Sequence, residues 1–495
     1  MRRLLAVAIA LVVVLGVMAA PAQAQAPAPK VTINGLVDFV TTYYSNWSGG
    51  GGASLDPTDR EDGWYSRERG VFTITGEIGR VKGVMAMELD FTNGTTTGAG
   101  TCGTPAFPGT SAGADLDTDC AGFFETKWLY VEAPITGAGS MMPFIPAATV
   151  LRGGMQPARG HDYKVGIHFS GDFPGVTLES QWAPNVKTTL TYAQLREKLD
   201  ETLAPAATES YAILFSPEIG VFKGLTVKPT ISWARLDGGT GNGSLGLPPV
   251  NGFNANGTNL YTKRWTLGGD VRWMAGPFSV QPTIYYQFGE QQIPGDDVDI
   301  SAWIFDVTGG FRTGPLNIEG RIMYTTGNDA GDSVPGGDDV NYYHPINPGF
   351  AYLAGWSEIW TSGIDYITSY LAAAPGMSYR TSPSYDKYGR IFTGLALDYA
   401  LTPALTLRGL LNSSWTAEEV DTDAVIGATG LTGGDGSGDA RWLGVEAAAG
   451  MTYRFAPNVA LDVIAATLQG GSARDSGGDD AEAVWKGVAR VRVTW

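Results

Sequence analysis

Charged side chains are scarce in this sequence, at 17% of 495 residues, whereas soluble domains average about 25%. Mean hydropathy is −0.04, and beyond the N-terminus no apolar run is long enough for a membrane-spanning helix. A soluble chain of this length usually forms two or more domains. A single large barrel is the alternative architecture for a chain of this length. Its strands have one apolar and one polar face, so their mean hydropathy is near zero.

The first residues have the features of an export signal. Arg2 and Arg3 form a positive start, residues 4–20 an apolar core, and Ala22 and Ala24 a small-x-small cleavage site. A membrane anchor is the alternative, but the run is short for a span and no charged stop follows it. We therefore expect a signal peptide over 1–24 and a single barrel over 25–495. Loss of the two arginines takes the net charge from −17 to −19, and so acidic a chain is not expected to bind nucleic acid.

Cysteine is nearly absent, with only Cys102 and Cys120 in one Gly/Thr/Asp-rich stretch. Because an exported protein meets an oxidising compartment, a disulfide that staples this loop is favoured over two free thiols. Two sulfurs without a nearby histidine would leave a tetrahedral metal site half empty.

Recognisable catalytic chemistry is also missing. There is no nucleophile elbow, phosphate loop or zinc spacing. Only three histidines occur, and the isolated His344 is interpreted as a surface residue. The sequence therefore predicts neither an enzyme nor a resident cofactor or metal.

What the chain does contain is long stretches of alternating apolar and polar residues, the period-two signature of strands. They run for about ten residues or more, whereas strands of a soluble sandwich usually have five or six. The last stretch, 481–495, sets apolar side chains against basic and polar ones: Trp485, Ala489, Val491, Val493 and Trp495 against Lys486, Arg490, Arg492 and Thr494.

Short and long connections alternate along the chain between these stretches. Outer-membrane barrels have the same pattern, with short periplasmic turns and long extracellular loops. The short ones are 79–83, 183–187, 275–278, 313–315, 402–404 and 456–458. The long ones are 45–63, 92–122, 236–260, 327–387, 417–439 and 470–480. We predict an all-β transmembrane antiparallel barrel of about 18 strands, with 16 as the alternative; 157–175 could hold another strand pair or an inward loop.

Three stretches of the sequence resemble those of Gram-negative outer-membrane porins: 31–38 the first strand, 126–131 with 149–156 the strands before the constriction loop, and 491–495 the C-terminal assembly signal. One departure is Met155, which stands where such porins have a basic residue, with Arg152 a few positions earlier. The resemblance implies outer-membrane location, a homotrimer, recognition of the last strand by the barrel assembly machinery, and a channel for ions and small hydrophilic solutes. Uptake of one particular solute, or a structural or adhesive role for the long loops, are the alternatives.

The resemblance also implies that the third extracellular loop, 157–173, folds into the lumen and narrows it; an ordinary external loop is the other interpretation. This loop contains Arg159, His161, Asp162 and Lys164. On the strands, a cation facing lipid at mid-bilayer would cost about 2–4 kcal/mol, so charged residues are expected to face inward. Those assigned to the pore on this basis are Arg152, Arg264, Arg272, Arg321 and Arg408. They would form a slightly basic wall opposite an acidic one, or else pair with one another.

Aspartate and glycine are concentrated in the loops 328–339, 421–439 and 475–480. Flexible carboxylates of this kind can bind Ca²⁺. The favoured interpretation is a set of solvated loops beside lipopolysaccharide, with divalent ions bridging to its phosphates.

Overall fold

The computed structural model describes residues 28–46, 62–93, 125–137, 140–196, 210–237, 261–293, 296–332, 339–346, 355–360, 363–364, 388–423, 425–427, 430–432, 434–475 and 480–495. The expected signal peptide and both cysteines lie outside these residues, so the cleavage site and the disulfide stay predictions. Within the described part, no helix has the length and apolar character needed to cross a membrane.

Eighteen strands form one antiparallel sheet, which confirms the predicted fold and strand number. In chain order the first ten are β1 (Lys30–Ser45), β2 (Gly63–Ile78), β3 (Val81–Asn93), β4 (Glu125–Pro134), β5 (Ala148–Pro157), β6 (Asp172–Ala183), β7 (Val186–Arg196), β8 (Ser210–Phe222), β9 (Leu225–Asp237) and β10 (Tyr261–Ala275). The other eight are β11 (Phe278–Ile293), β12 (Asp296–Thr313), β13 (Leu316–Thr325), β14 (Arg390–Ala400), β15 (Leu405–Val420), β18 (Ala440–Ala456), β19 (Val459–Gly470) and β20 (Val484–Thr494).

A small hairpin, β16 (Val425–Gly427) with β17 (Gly430–Thr432), and a 3-10 turn at Ser472–Arg474 lie in connections outside this sheet. The last strand begins at Val484, three residues later than the expected 481, because the backbone N–H of Ala481 donates to the Asp475 carboxylate at 2.8 Å instead of to a neighbouring strand.

The sheet is closed, since β1 pairs with both β2 and β20. Closure leaves no strand edge, as lipid requires of a spanning sheet. Large apolar side chains cover the outside: Trp265, Leu267 and Trp303 are each 40–44% exposed. Polar residues between them in sequence, such as Arg264 and Thr266, are buried on the inner side. An exposed apolar band this extensive is a lipid-facing surface, and the chain is a transmembrane barrel.

The predicted separation of short turns from long loops is correct in outline but wrong at two connections. On the turn side, β4 ends at Pro134 and β5 begins only at Ala148; Ile135 donates to the Thr149 carbonyl and Met142 donates back to Ile135, which folds the extra residues against the rim. On the loop side, β11 and β12 extend until only 294–295 separate them.

The last residue is part of the seam between the two ends of the chain. The backbone N–H and C=O of Trp495 each bond to Gly35, at 3.1 Å. The indole lies over Gly35 and contacts the Phe72 ring, with 5.5 Å between ring centroids. A Cβ at residue 35 would lie 2.5 Å from the indole and 2.8 Å from the Val71 carbonyl oxygen. Glycine is therefore required there for the C-terminal side chain to pack.

One ion pair joins the same two strands on the lumen side. The Arg492 guanidinium donates from Nε and Nη2 to the two carboxylate oxygens of Asp38, and the two residues are direct cross-strand partners. Asp38 is fully buried, whereas the Arg492 side chain is 26% exposed. Because two parallel hydrogen bonds join the two groups, this ion pair is stronger than one with a single hydrogen bond.

We expect Asp38→Ala to lower the free energy of unfolding by about 1–3 kcal/mol, between the values for exposed and buried pairs, because Arg492 loses its partner. Urea unfolding of the barrel in lipid vesicles, followed by tryptophan fluorescence, measures the change. Asp398→Ala is the control, since that lumen carboxylate is 45% exposed and lies 4.0 Å from Arg408. An equal loss in both variants would show that the seam pair has no special part in closure.

Candidate functional site

The charged residues of the lumen wall pair with their neighbours. Arg152, on β5, donates to Glu132 at 3.0 Å and to Glu179 at 3.3 Å. Arg490 binds Asp462 at 2.7 Å in the same way. These contacts favour local pairing over a basic wall opposite an acidic one, because cross-strand partners lie within reach of each other and neutralise locally.

A second group of wall cations faces an aromatic ring. Arg272 lies over the Tyr163 ring at 4.0 Å from its centroid, and Lys228 lies over the same ring at 4.1 Å. Lys228 also binds Glu218 at 2.8 Å. Tyr163 belongs to the connection between β5 and β6, so these contacts attach that connection to the wall.

The connection 158–171, called here the β5–β6 loop, contacts the inner face of the barrel. The His161 ring accepts or donates hydrogen bonds at both nitrogens, to Ser216 of β8 at 2.8 Å and to Thr191 of β7 at 2.7 Å. The Thr230 hydroxyl of β9 donates to the His161 carbonyl at 3.1 Å. Each of these wall residues is buried.

Farther along the β5–β6 loop, the Lys164 side chain contacts strands β11 and β12. Its ammonium donates to the Gln281 carbonyl of β11 at 2.7 Å and to the Asp306 carbonyl of β12 at 2.9 Å, and it pairs with the Asp306 carboxylate. Arg321 of β13 holds the other oxygen of that carboxylate at 2.7 Å. The β5–β6 loop thus crosses the lumen side of β7–β12. Arg159 is exposed.

The carboxylate of the half-buried Asp162 holds the loop backbone in place. Asp162 accepts hydrogen bonds from the backbone N–H groups of His168 and Phe169, at 3.2 and 3.3 Å. Burial, with a smaller contribution from the negative charge of Asp270, raises the pKa of Asp162 to about 7.

The long connection between β13 and β14 also enters the lumen, which the sequence analysis did not predict. We call its described parts the β13–β14 segments: the first is 339–346, and the second is 355–360 with 363–364. In the first, the Tyr343 hydroxyl donates to the Ile167 carbonyl at 2.9 Å, and Ile346 N–H donates to the His168 carbonyl at 2.8 Å. The first segment therefore lies against the β5–β6 loop.

His344 was expected at the surface, and this is wrong. It is 3% exposed, because its backbone exchanges two hydrogen bonds with the Gln287 amide, at 2.8 and 3.0 Å. The Gln287 side chain faces inward from β11, so these two hydrogen bonds hold the first β13–β14 segment inside the lumen.

The second segment attaches to the other side of the barrel through Glu446 of β18. This fully buried carboxylate accepts from the Ser357 hydroxyl at 2.7 Å, from the backbone of Glu358 at 2.7 Å and Ile359 at 3.3 Å, and from the Asn412 amide at 3.3 Å. Such an arrangement stabilises a charge away from bulk water.

Further contacts hold the same segment. The Trp360 indole donates to Asn412 at 3.0 Å, Lys486 donates to the Glu358 carbonyl at 2.6 Å, and Arg408 donates to the Gly355 carbonyl at 2.7 Å. Trp356 and Trp360 are the sequence feature that could have predicted this inward position, because two tryptophans are unusual in a loop expected to be external.

Of the predicted pore residues, the structure places Arg152, Arg264, Arg272, Arg321 and Arg408 on the inner face. Four of them contact the inward loops: Arg264 at Pro345, Arg272 at Tyr163, Arg321 at Trp356 and Arg408 at Gly355. In the Asp-rich loop after β15, carboxylate oxygens of Asp421, Asp423 and Asp435 lie within 4.8 Å of one another. Asp421 also accepts from Gly436 N–H at 2.8 Å. Calcium binding there stays a prediction.

These features define a large transmembrane β-barrel whose lumen is lined by paired charges and crossed by two loops. No family model matches the chain, and no curated protein does. Among solved structures, Pseudomonas aeruginosa OccK5 (OpdH) is similar at 10% identity, over 93% of this chain and 97% of that one, with a TM-score of 0.48. Pseudomonas aeruginosa OpdQ has 11% identity, 94% and 98% coverage, and a TM-score of 0.48.

The outer membrane protein OprD from Pseudomonas aeruginosa has 10% identity, over 94% of this chain and 93% of that one, with a TM-score of 0.47. Values this low assign no solute to this chain.

The β5–β6 loop should detach from the wall as the pH falls. Burial lowers the pKa of both His161 and His168 from 6.5 to about 3, so between these values a released loop binds protons that the docked loop excludes. The contribution of the two histidines to docking is therefore fully present above about pH 6.5 and is lost toward pH 3. Asp162 acts in the opposite direction, because its raised pKa favours docking once it is protonated below about pH 7. Two histidines outweigh this single carboxyl group, so docking weakens overall between pH 6.5 and pH 4.

We expect larger or more frequent current fluctuations at pH 4.5 than at pH 7.5 in single-channel recordings. His161→Asn keeps a side chain able to bond both hydroxyls and removes one titrating group, so its recordings should change less with pH. Identical pH responses of this variant and the wild type would rule out His161 as a contributor.

Loss of the Glu446 carboxylate should release the second β13–β14 segment and widen the lumen. Glu446→Ala leaves several buried donors without an acceptor, at about 1–3 kcal/mol each, which corresponds to a tenfold or larger fall in the docking equilibrium. The ion conductance of planar bilayers that contain the protein should rise. Glu446→Gln, which keeps an acceptor oxygen, should have a smaller effect, and Glu319→Ala, another lumen carboxylate, should have none. Unchanged conductance in Glu446→Ala would contradict the anchoring role.

Proposed function

We propose that this chain is an outer-membrane porin that forms a water-filled channel for passive diffusion of ions and small hydrophilic solutes. The observation that carries the proposal is the contrast between the two faces of one closed sheet. Large apolar side chains such as Trp265, Leu267 and Trp303 are exposed on the outside, whereas Arg152, Asp306, Arg321 and Glu446 are among many charged residues on the inside. A charged inner face is stable in a membrane only around an aqueous or fully paired interior.

The two inward loops favour a narrow channel. They attach to different parts of the wall, the β5–β6 loop across β7–β12 and the second β13–β14 segment at β15, β18 and β20, through Glu446 and Lys486. A pore restricted from two sides discriminates between solutes by size and polar contacts. Uptake of a particular class of solute is therefore the second candidate function.

Catalysis is not part of the proposal. Among the described residues, the contact that most resembles a nucleophile beside a base joins the Ser216 hydroxyl to His161 at 2.8 Å. Both residues are 1% exposed, and the second nitrogen of His161 bonds to Thr191 rather than to a carboxylate. A reacting group could not approach this serine without unfolding the loop.

The partners proposed for the barrel follow from its surface and its seam. The apolar band would be embedded among outer-membrane lipids, with lipopolysaccharide around the loop side. The last strand, together with Trp495 directly after it, would be the segment recognised by the barrel assembly machinery. Three copies would associate as a homotrimer.

Purified protein in planar bilayers should give discrete conductance steps, and the reversal potential in a salt gradient measures its ion preference. Absence of steps from correctly folded protein would exclude a porin. Deletion of 327–387 removes both β13–β14 segments and should raise the conductance. A barrel that serves adhesion through this loop would instead show no channel before or after the deletion.

Reversible block of single-channel current separates the two candidate functions. A general porin should show no saturable block by sugars or organic acids, whereas a solute-specific channel should be blocked by its own solute at micromolar concentration.

A further inference from the structure

The lipid-facing surface of the barrel contains a groove of about 430 Å³ across strands β18, β19, β20 and β1. Its lining consists of Tyr43 and residues 447–449, 465–467 and 485–487. Alternation along the strands directs Ala448, Ala466 and Lys486 inward, where they are buried, and leaves their neighbours in sequence on the outside. The groove therefore opens to the membrane and not to the lumen.

The floor of the groove is made of small residues that lie side by side in the sheet. Ala449 of β18 pairs with Ala465 of β19, and Ala465 pairs with Gly487 of β20. A Cβ atom at residue 487 would meet no described atom within 4 Å. Large side chains stand at one end of this floor, where Trp485 is 56% exposed and Tyr43 is 51% exposed. The contrast in side-chain size produces the depression.

The groove runs obliquely from the loop-side rim towards the middle of the barrel. On β20, Gly487 is two residues from Trp485, whereas on β18, Ala449 is seven residues from Trp442, the outward-facing tryptophan near the loop-side end of that strand. Exposed tryptophans of a barrel mark the boundary between the apolar band and the headgroups, and the long loops of bacterial barrels are extracellular. The groove therefore lies in the outer leaflet and reaches its headgroup boundary at Trp485.

A depression in a lipid-facing surface has to be filled by something apolar. Water stays out of apolar cavities, and an empty groove would deprive its lining of dispersion contacts. A methylene group occupies roughly the volume of a liquid water molecule, about 30 Å³, so about fourteen of them fill the groove. This is the size of one acyl chain. A second barrel fits less well, because its convex surface could reach the floor only with single side chains.

We propose that this groove binds one acyl chain of lipopolysaccharide, the lipid of the outer leaflet, and holds its headgroup beside the loops. The occupant follows from the continuity of the groove with the lipid-facing band and from its position on the loop side. The proposal deepens the lipid contact proposed above and rests on the outer-membrane location. None of the measurements below uses conductance, so their failure would leave the proposed channel untouched.

Full-length barrel extracted from outer membranes in detergent should retain one lipopolysaccharide molecule in native mass spectra. Ala465→Leu fills the middle of the floor and should lose this lipid. Ala449→Leu should lose it as well, and it remains informative if the first variant does not assemble. Gly309→Leu is the control, because Gly309 shares the outer face of β12 with Trp303 and has open space around it outside the groove. Equal retention by the wild type and both alanine variants would overturn the proposal.

Titration of delipidated protein distinguishes lipopolysaccharide from phospholipid. Purified lipopolysaccharide should bind to the wild type and to Gly309→Leu but not to Ala465→Leu. Phosphatidylethanolamine should show no such difference between the variants. A loss of phosphatidylethanolamine binding in Ala465→Leu equal to that of lipopolysaccharide would overturn the assignment of the groove to lipopolysaccharide.

Photocrosslinking in intact cells distinguishes a lipid from a second copy of the chain. Leu411 pairs with Ala447 at the edge of the groove and is 52% exposed, so p-benzoylphenylalanine in its place would leave the floor unchanged. Irradiation should join this residue to lipopolysaccharide. A crosslink to a second barrel in its place would identify the groove as a contact between copies, and would overturn the proposal.

Discussion

The structure depends on the need to pair every backbone N–H and C=O group of the spanning strands within the sheet, because lipid offers no hydrogen-bonding partner. A sheet satisfies this condition only by closing on itself. Closure occurs between β1 and β20, where Gly35 and Trp495 exchange backbone hydrogen bonds and Asp38 pairs with Arg492. The N-terminal and C-terminal ends of the barrel therefore form one seam, and neither can pack without the other.

Closure also decides where charge can go. Once one face of the sheet meets lipid, charged side chains must collect on the other face, at high density in a small volume. They are stabilised in two ways in this barrel. Residues such as Arg152 and Glu179 find a neighbour on the next strand, whereas Glu446 and Asp306 are reached by groups of the inward loops. The loops are thus attached to the lumen by the same polar residues that the membrane excludes from the outside.

These contacts determine which parts of the lumen wall the inward loops cover. The β5–β6 loop and the first β13–β14 segment pack on each other through Tyr343 and Ile167, and they cover one wall together. The second segment covers another wall through Glu446. Buried polar networks of this kind hold a loop in one conformation when every member has a partner.

Much of the fold could be predicted from the sequence because alternation is local. The apolar side chains from Trp485 to Trp495 face lipid and Lys486, Arg490 and Arg492 face inward whatever the rest of the chain does, since a strand has a period of two. The strand number followed from counting such stretches. Boundaries were less predictable: the strand expected from 481 begins at Val484, and the long turn after Pro134 has no distinctive composition.

The candidate site was predictable only in part. Alternation placed Arg264 and Arg321 inside, but it could not say that Asp306 would hold both Arg321 and Lys164, or that Glu446 would bind a loop some 90 residues away in sequence. The sequence by itself determined which residues face lipid and which face the lumen, because that choice depends on neighbours two positions apart and on the cost of charge in a membrane. Only the tertiary structure decided which loops enter the lumen, because that depends on donors and acceptors that closure of the barrel brings together from distant strands.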